Sequence, residues 1–434
     1  MDFHQDDTFE FQPPEVIQQR QEELLRQQLR YCATQSPYYR ELFAREKVNP
    51  DAVTLGSLAE LPLTSKSDLS EAHERFLAAP PAAVVDIVLT SGTTVQPTPV
   101  AYTENDLQRL AFNEWLSFSG CGIRKDDTAL LCCTIDRCFV AGLAYYEGLR
   151  KVGAAVLRTG NMVLPLQREV IARLRPTVIV GVPSFLRRLG QLLQESGMDS
   201  PNLGVRRMVC IGEPLRDQRM EPLQVARDLE ALWGARLYST YASTETVSTF
   251  CECEAQQGGH LHPNLAVLEV ISRDGSPLGP GETGEVVVTP LSVEGMPLVR
   301  FKTGDISFFM DEPCSCGRNS PRLGPILGRA QQRLKVKGTT FYPQAVYSIL
   351  DSIPSVREYY IKVESEDNLS DKLTVYAAVE DAAAGIGEIT DCLQGRLRVR
   401  VPVAVQTLEE IQQVVITPKS RKPVRFLDLR SHSE

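Results

Sequence analysis

Residues 89–98, LTSGTTVQPT, place Ser91, Thr93 and Thr94 around Gly92, directly after an apolar run, DIVLTSG, that reads as a strand. Hydroxyls can donate to anionic oxygens and a glycine lets backbone amides close on the same anion, so the segment predicts a loop that wraps a polyphosphate. A second chemical group lies further along: CEC at 251–253, GGHLH at 258–262 and CSCGR at 314–318 supply thiols and imidazoles, the soft donors of tetrahedral zinc. The preferred ligand set is Cys253, His260 or His262, Cys314 and Cys316. Four protein ligands leave no open position, so such a zinc would be structural. The competing reading is free thiols in turns, because C-x-C is a weaker signature than C-x-x-C. A third group, TPKSRKPVRFLD at 417–428, gathers Lys419, Arg421, Lys422 and Arg425.

These groups need elements to hold them. PEVIQQRQEELLRQQLRYC at 14–32 carries Val16, Ile17, Leu24, Leu25 and Leu29 at helical spacing and predicts a packing helix. From about residue 80, β-rich runs such as DTALLCCT, PTVIVGVPS and RRMVCIG alternate with helical stretches, which implies a mainly parallel sheet covered by helices. From Leu268, LEVISRDGSPLGPGETGEVVVTPL has two period-2 runs around Gly and Pro, as antiparallel strands require. The last hundred residues alternate strand and helix on a smaller scale, with AAAGIG at 382–387 reading as a flexible surface turn. The expected fold is α/β: a large N-terminal domain (1–328) with mixed and parallel sheets covered by helices plus a β-rich subdomain, then a small α+β C-terminal domain (329–434). The hinge falls between Leu327 and Gln332.

Four more strings follow the Ser/Thr/Gly loop in order: YASTE at 241–245, VRFKTGD at 299–305, GRAQQRLKVKG at 328–338 and the Lys-rich segment. Together with SPYYRELF at 36–43 and LAELPLTSKSDL at 58–69, they resemble the phenylacetate-CoA ligase family of adenylate-forming enzymes. Its typical strings read SGTTGKPT, YGLTE or YGLSE, RTGD, GRSDDML and SEGKAKRVVD. The resemblance implies activation of a carboxylic acid by ATP and Mg²⁺ to an acyl-adenylate, then transfer to a thiol. It assigns Ser91, Gly92, Thr93 and Thr94 to the β- and γ-phosphates, Glu213 and Pro214 of IGEPL to the adenine side and Tyr241 to stacking on the base. Thr244 falls to the α-phosphate, Glu245 to Mg²⁺ and Asp305 to the ribose hydroxyls. Arg329 falls beside the ribose and phosphates, and Lys422 to the carboxylate and α-phosphate as their bond forms. A mobile small domain would then withdraw Lys422 and bring Lys335 and Gly338 toward the thiol's path. CFVAGLAYY at 138–146 is similar to an aromatic-acid pocket, pointing to Phe139 and Tyr145, with Tyr238 and Ala242 as further candidates. Members of the family can also carry a Cys/His cluster, which favours the zinc reading.

The chain departs from the family at Val95 and Gln96, where Gly and Lys are usual, and at Gln331 and Gln332, which replace acidic residues. A β-branched residue resists positive φ, and the missing lysine removes a charge from the phosphates. Three functions are therefore expected in descending order: an aryl or arylacetic acid-CoA ligase, a stand-alone enzyme loading an aryl acid onto the phosphopantetheine of an acyl carrier protein, and a non-catalytic nucleotide-binding regulator. The partners are a small aromatic carboxylic acid and CoA or a carrier protein, and family resemblance allows a homodimer. A net charge of −9 over 434 residues argues against nucleic acid, and no apolar stretch is long enough to span a membrane. The opening MDFHQDDTFEFQPP is acidic, without a basic n-region or an apolar h-region, so a cytoplasmic protein is expected. The eleven cysteines include Cys132 and Cys133 in apolar LLCCT, which predicts buried thiols and no disulfide framework.

Overall fold

The computed structural model describes residues 5–90, 97–160, 162–365, 370–416 and 423–430. It divides into two units, Met1–Ile326 and Leu327–Glu434.

The first unit opens with α1 (Pro14–Gln35), α2 (Pro37–Arg45), α3 (Lys66–Glu71) and α4 (His73–Phe76). Along α1, Ile17, Leu24, Leu25, Leu29 and Cys32 are buried at helical spacing, whereas Val16 falls off that stripe and is exposed. Gln28, on the same stripe, is fully buried because its amide donates to the Val293 carbonyl and accepts from the Val293 N–H. A hairpin of β1 (Val84–Leu89) and β2 (Pro99–Thr103) follows, then α5 (Glu104–Gly120), whose start is fixed by a Thr103/Asp106 capping box.

Next come β3 (Thr128–Leu131), α6 (Val140–Val152), β4 (Ala155–Arg158), α7 (Leu164–Leu174), β5 (Val178–Gly181), α8 (Pro183–Glu195), β6 (Arg207–Ile211) and α9 (Gln224–Trp233). The next strands are β7 (Arg236–Ser243), β8 (Ser248–Glu252) and β9 (Gly259–His260). They are followed by β10 (Ala266–Ile271), β11 (Gly284–Pro290), β12 (Phe301–Ser307), β13 (Phe309–Met310) and β14 (Arg322–Leu323). Among the described residues one sheet runs β13-β14-β9-β8-β7-β6-β5-β3-β4, parallel from β4 to β7 and antiparallel beyond.

The pleat of its parallel half explains the continuous apolar runs. Ile179, Met208 and Cys210 pack with α8 and α9 through Leu186, Leu189, Leu229 and Trp233, while Val178, Val180, Val209 and Ile211 pack on the other face with Phe118, Tyr145 and Leu149. Both faces are buried, so the alternation of polar and apolar residues vanishes. The texture from Leu268 resolves into antiparallel β10, β11 and β12.

The second unit contains β15 (Gly328–Arg329), β16 (Leu334–Val336), β17 (Thr339–Phe341), α10 (Pro343–Leu350), β18 (Val356–Ser365), β19 (Asp371–Val379), α11 (Ala382–Leu397), β20 (Val403–Val405), α12 (Leu408–Val415) and β21 (Phe426–Asp428). Its sheet order is β20-β19-β18-β21. AAAGIG is the first turn and a half of α11 rather than a surface turn. Alanine is the strongest helix former, and at Gly385 a Cβ would lie 2.8 Å from Val379, so the glycine serves close packing.

Candidate active site and metal centre

Strand β7 delivers the YASTE residues to the mouth of a hairpin with β8, where Ser243 pairs with Ser248 and Thr244–Val247 form the turn. Two buried or half-buried tethers fix that turn. The Tyr102 hydroxyl at the end of β2 donates to the Thr244 carbonyl at 2.7 Å, and the fully buried Arg109 of α5 donates to the carbonyls of Val247, Leu265 and Leu291. Glu245 accepts from Ser243 Oγ at 2.7 Å, and Lys66 Nζ of α3 lies 3.7 Å from its other oxygen.

Asp305 sits on β12 beside Gly304, whose φ of 77° an L side chain would resist. The Tyr241 hydroxyl donates to Asp305 Oδ2 at 2.8 Å, so the residues expected at the base and at the ribose are adjacent although they come from different sheets. Burial holds the phenol protonated, which keeps it a donor. Glu213 accepts the Ser184 N–H at 2.9 Å and the Ser184 hydroxyl at 2.7 Å, placing a carboxylate on the first turn of α8.

The phosphate-loop residues Ser91, Gly92, Thr93 and Thr94 lie outside the described residues, as do Val95 and Gln96. Their flanks are defined: the Thr90 N–H donates to the Thr98 carbonyl, and the Thr98 N–H to Thr90 Oγ1, both at 3.0 Å. Lys422, with Lys419 and Arg421, also lies outside the described residues. Just beyond them, Arg425 pairs with Glu358 at 2.8 Å and lies 4.6 Å over the Tyr359 ring, while Asp428 holds Arg430 at 2.6 Å. Arg329 is half-buried on β15 in the second unit. Lys335 is exposed on β16, and Lys337 and Gly338, at φ 46° and 84°, form the two-residue turn to β17.

Among the pocket candidates, Tyr145 and Tyr238 belong to one buried core cluster, with Tyr145 edge-on to Phe118 at 6.0 Å. Phe139 is half-buried at the N-cap of α6 and Ala242 is exposed on β7. Close by on α5, Glu114 is fully buried with the Thr249 hydroxyl as its partner, and burial pushes its carboxyl up to about 8.

The Cys/His residues converge. Ligand atoms of Cys253, His260, Cys314 and Cys316 all lie within 4.8 Å of one another. A tetrahedral zinc with Zn–S of about 2.3 Å and Zn–N of about 2.0 Å separates two sulfurs by about 3.8 Å and a sulfur from a nitrogen by about 3.5 Å. Cys253 Sγ and Cys314 Sγ are 3.7 Å apart, and Cys316 Sγ and His260 Nε2 are 3.5 Å apart. The residues therefore fit the metal. His260 Nδ1 faces Ser320 Oγ at 3.3 Å, leaving Nε2 toward the sulfurs, as an outer-sphere partner should. Hydrogen bonding with Cys253 and then His260 pulls the Cys316 thiol down toward thiolate, and His260 does the same for Cys314.

Of the two histidines left open by the sequence, His260 joins the cluster. The side chain of His262 instead meets Glu10 through Nδ1 and Ser117 Oγ through Nε2, the latter at 3.3 Å. His262 is thus corrected out of the ligand set: its ring is committed on both nitrogens. Glu10, Lys66, Tyr102, Glu114 and Arg318 are site-building residues that sequence reasoning missed. Lys66 and Arg318 at least fall inside strings singled out for other reasons, TSKSDL and CSCGR.

Residues 17–293 match the model of the family described as AMP-binding enzyme. A phenylacetate-coenzyme A ligase of Thermus thermophilus is 32% identical over 367 residues, covering 83% of this chain and 81% of that one. The phenylacetate-coenzyme A ligase of Escherichia coli (strain K12) is 26% identical over 98% of both chains. Among solved structures, a 2-hydroxyisobutyryl-CoA ligase in the postadenylation state, bound to R3-HIB-AMP, superposes with a TM-score of 0.85 at 19% identity over 97% of this chain and 91% of that one, which shows a shared fold.

Proposed function

The chain belongs to the AMP-binding enzyme family and is similar to phenylacetate-CoA ligases, and from that premise we propose that it activates an aromatic carboxylic acid for transfer to CoA. It is an AMP-forming acid–CoA ligase. The acid's carboxylate oxygen attacks the α-phosphorus of ATP, the bond to the bridging oxygen breaks and pyrophosphate leaves. The CoA thiolate then attacks the acyl carbon of the adenylate, and AMP departs with the electron pair of the C–O bond.

We assign the roles as follows. Asp305 accepts the ribose hydroxyls, with Tyr241 holding its carboxylate in place and presenting a ring to the adenine. Thr244 donates to the α-phosphate from a turn whose backbone is pinned by Tyr102 and Arg109. Ser91, Thr93 and Thr94 bind the β- and γ-phosphates, and Lys422 offsets charge where carboxylate and phosphate meet. Glu245 would hold Mg²⁺, which supplies charge neutralisation on the phosphates; its hard oxygens, already steered by Ser243, suit that ion. The Cys253/His260/Cys314/Cys316 set would hold a structural zinc, since four protein donors leave no place for substrate.

One observation carries the nucleotide reading: Tyr241 and Asp305, 64 residues apart, share a 2.8 Å hydrogen bond. The aromatic substrate is supported by the phenylacetate ligases at 26–32% identity. The test is acid-dependent pyrophosphate release with ATP and Mg²⁺ across phenylacetic, benzoic, hydroxylated, heteroaromatic and short aliphatic acids, followed by CoA consumption against transfer to carrier proteins. Turnover confined to an aromatic acid and CoA is the expected result; turnover only with aliphatic acids, or only with a carrier protein, overturns the corresponding half of the proposal.

A further inference from the structure

Residues Phe9–Phe11 form a single 3₁₀ turn, too short to persist on its own free energy. Its order comes from what it touches. Glu10 is 1% exposed, and its carboxylate meets His262 Nδ1 with one oxygen and Arg318 Nε with the other. Arg318 in turn donates from Nη1 to Cys316 Sγ at 3.5 Å, and its guanidinium lies 5.0 Å over the Phe11 ring. The backbone closes the same contact: the Asn319 N–H donates to the Glu10 carbonyl at 2.8 Å, and Asn319 Nδ2 to the Gln12 carbonyl at 3.0 Å.

His262 is two residues beyond the ligand His260, and Arg318 is two beyond the ligand Cys316. One carboxylate therefore bridges the two chain segments that supply three of the four metal donors, and it does so without being a donor itself. The charges agree. Three thiolates around Zn²⁺ leave one negative charge, and Arg318 lies between that charge and Glu10. Removing Glu10 strands a largely buried guanidinium with half of its compensation.

Building on the reading of these four residues as a zinc site, we propose that Glu10 is the outer-sphere anchor of that site, so that metal binding and docking of residues 8–12 form one linked equilibrium. Glu10 acts as a positioning residue, through Arg318 and His262. Linkage is reciprocal: the factor by which Glu10 raises zinc affinity is the factor by which zinc favours the docked segment. Loss of an outer-sphere partner costs about 10–100-fold in metal affinity, which sets the expected size.

The test uses the full chain. Zinc content is measured first, then zinc retention against a chromophoric chelator for the wild type, Glu10→Gln and Glu10→Ala, and finally chymotryptic cleavage after Phe9 and Phe11 with and without chelation. The expected results are bound zinc in the wild type, retention weakened about 10–100-fold in Glu10→Ala and less in the isosteric Glu10→Gln. Chelation should speed cleavage of the wild type at both phenylalanines by a factor of the same order. Wild-type protein that binds zinc while cleavage is indifferent to chelation overturns the linkage but leaves the metal site standing. Wild-type protein without zinc overturns both. If Glu10→Ala fails to fold, Glu10→Gln and the wild-type cleavage assay still decide the matter.

Discussion

The proposed metal knuckle and the hairpin proposed to face the nucleotide sit in the same unit but are built on opposite plans. In the knuckle, donors from β9 and two loops already stand at the spacing of a tetrahedral ion, and the outward-facing His260 Nδ1 has a protein partner in Ser320. In the hairpin, the chemical groups engage one another: Tyr241 donates to Asp305, Ser243 donates to Glu245, and Lys66 pairs with Glu245 at 3.7 Å. A closed set of contacts is suited to hold structure. A set in which each carboxylate is steered by a neighbouring donor is suited to present charge to something that arrives. Damage to the first should therefore appear as lost stability and damage to the second as lost turnover.

On the zinc reading proposed above, the sharpest test is removal of the ion or of a donor. Chelation or Cys314→Ser should lower stability by several kcal/mol, since structural zinc binding is coupled to folding, and thermal unfolding with added zinc would measure it. Full stability together with lost activity would break the comparison.

Glu114 provides the next largest effect, from a buried acid without a cation. Its folded-state value of about 8 lies above the ordinary 4.5. The contribution to stability is thus present below about pH 4.5 and is lost as pH rises toward 8. The upper bound is roughly 5 kcal/mol at about 1.4 kcal/mol per unit. Glu114→Gln should flatten the pH dependence of thermal unfolding across that window and raise stability at pH 8.

On the nucleotide side, Asp305→Ala and Lys422→Ala should each cut pyrophosphate release about 10²–10³-fold while leaving thermal unfolding within a few degrees of the wild type. Unfolding in proportion to lost turnover would erase the distinction between the two regions. The smallest effect is that of Tyr241→Phe, which keeps the ring and deletes one hydrogen bond worth about 1 kcal/mol, so kcat/KM for ATP should fall about fivefold.

Much of this was legible along the chain because it was local. The parallel strands announce themselves as apolar runs, since both of their faces are covered, and each nucleotide string is continuous in sequence. What could not be read was the choice between His260 and His262. Two residues apart in an extended segment, they share a face, and only Glu10, some 250 positions away, takes one of them out of reach of the sulfurs. Glu10 itself gives no local signal, being one acid in an acidic stretch. Tyr145 and Tyr238 show the converse: an aromatic residue in a family-like string reads the same whether it lines a pocket or packs in a core, and the two belong to one buried cluster between a sheet and its helices. AAAGIG was misread because glycine suggested a turn, when here it admits the close approach of Val379.

The paired hydrogen bonds between Thr90 and Thr98 have a consequence for how such an enzyme can change over time. Because β1 and β2 bring the two ends together, the entropy of closing the loop is met by the hairpin, whichever residues occupy positions 91–96. On the phosphate-loop reading proposed above, substitutions at those positions, Val95 and Gln96 among them, would change the grip on the nucleotide while the rest of the fold is spared.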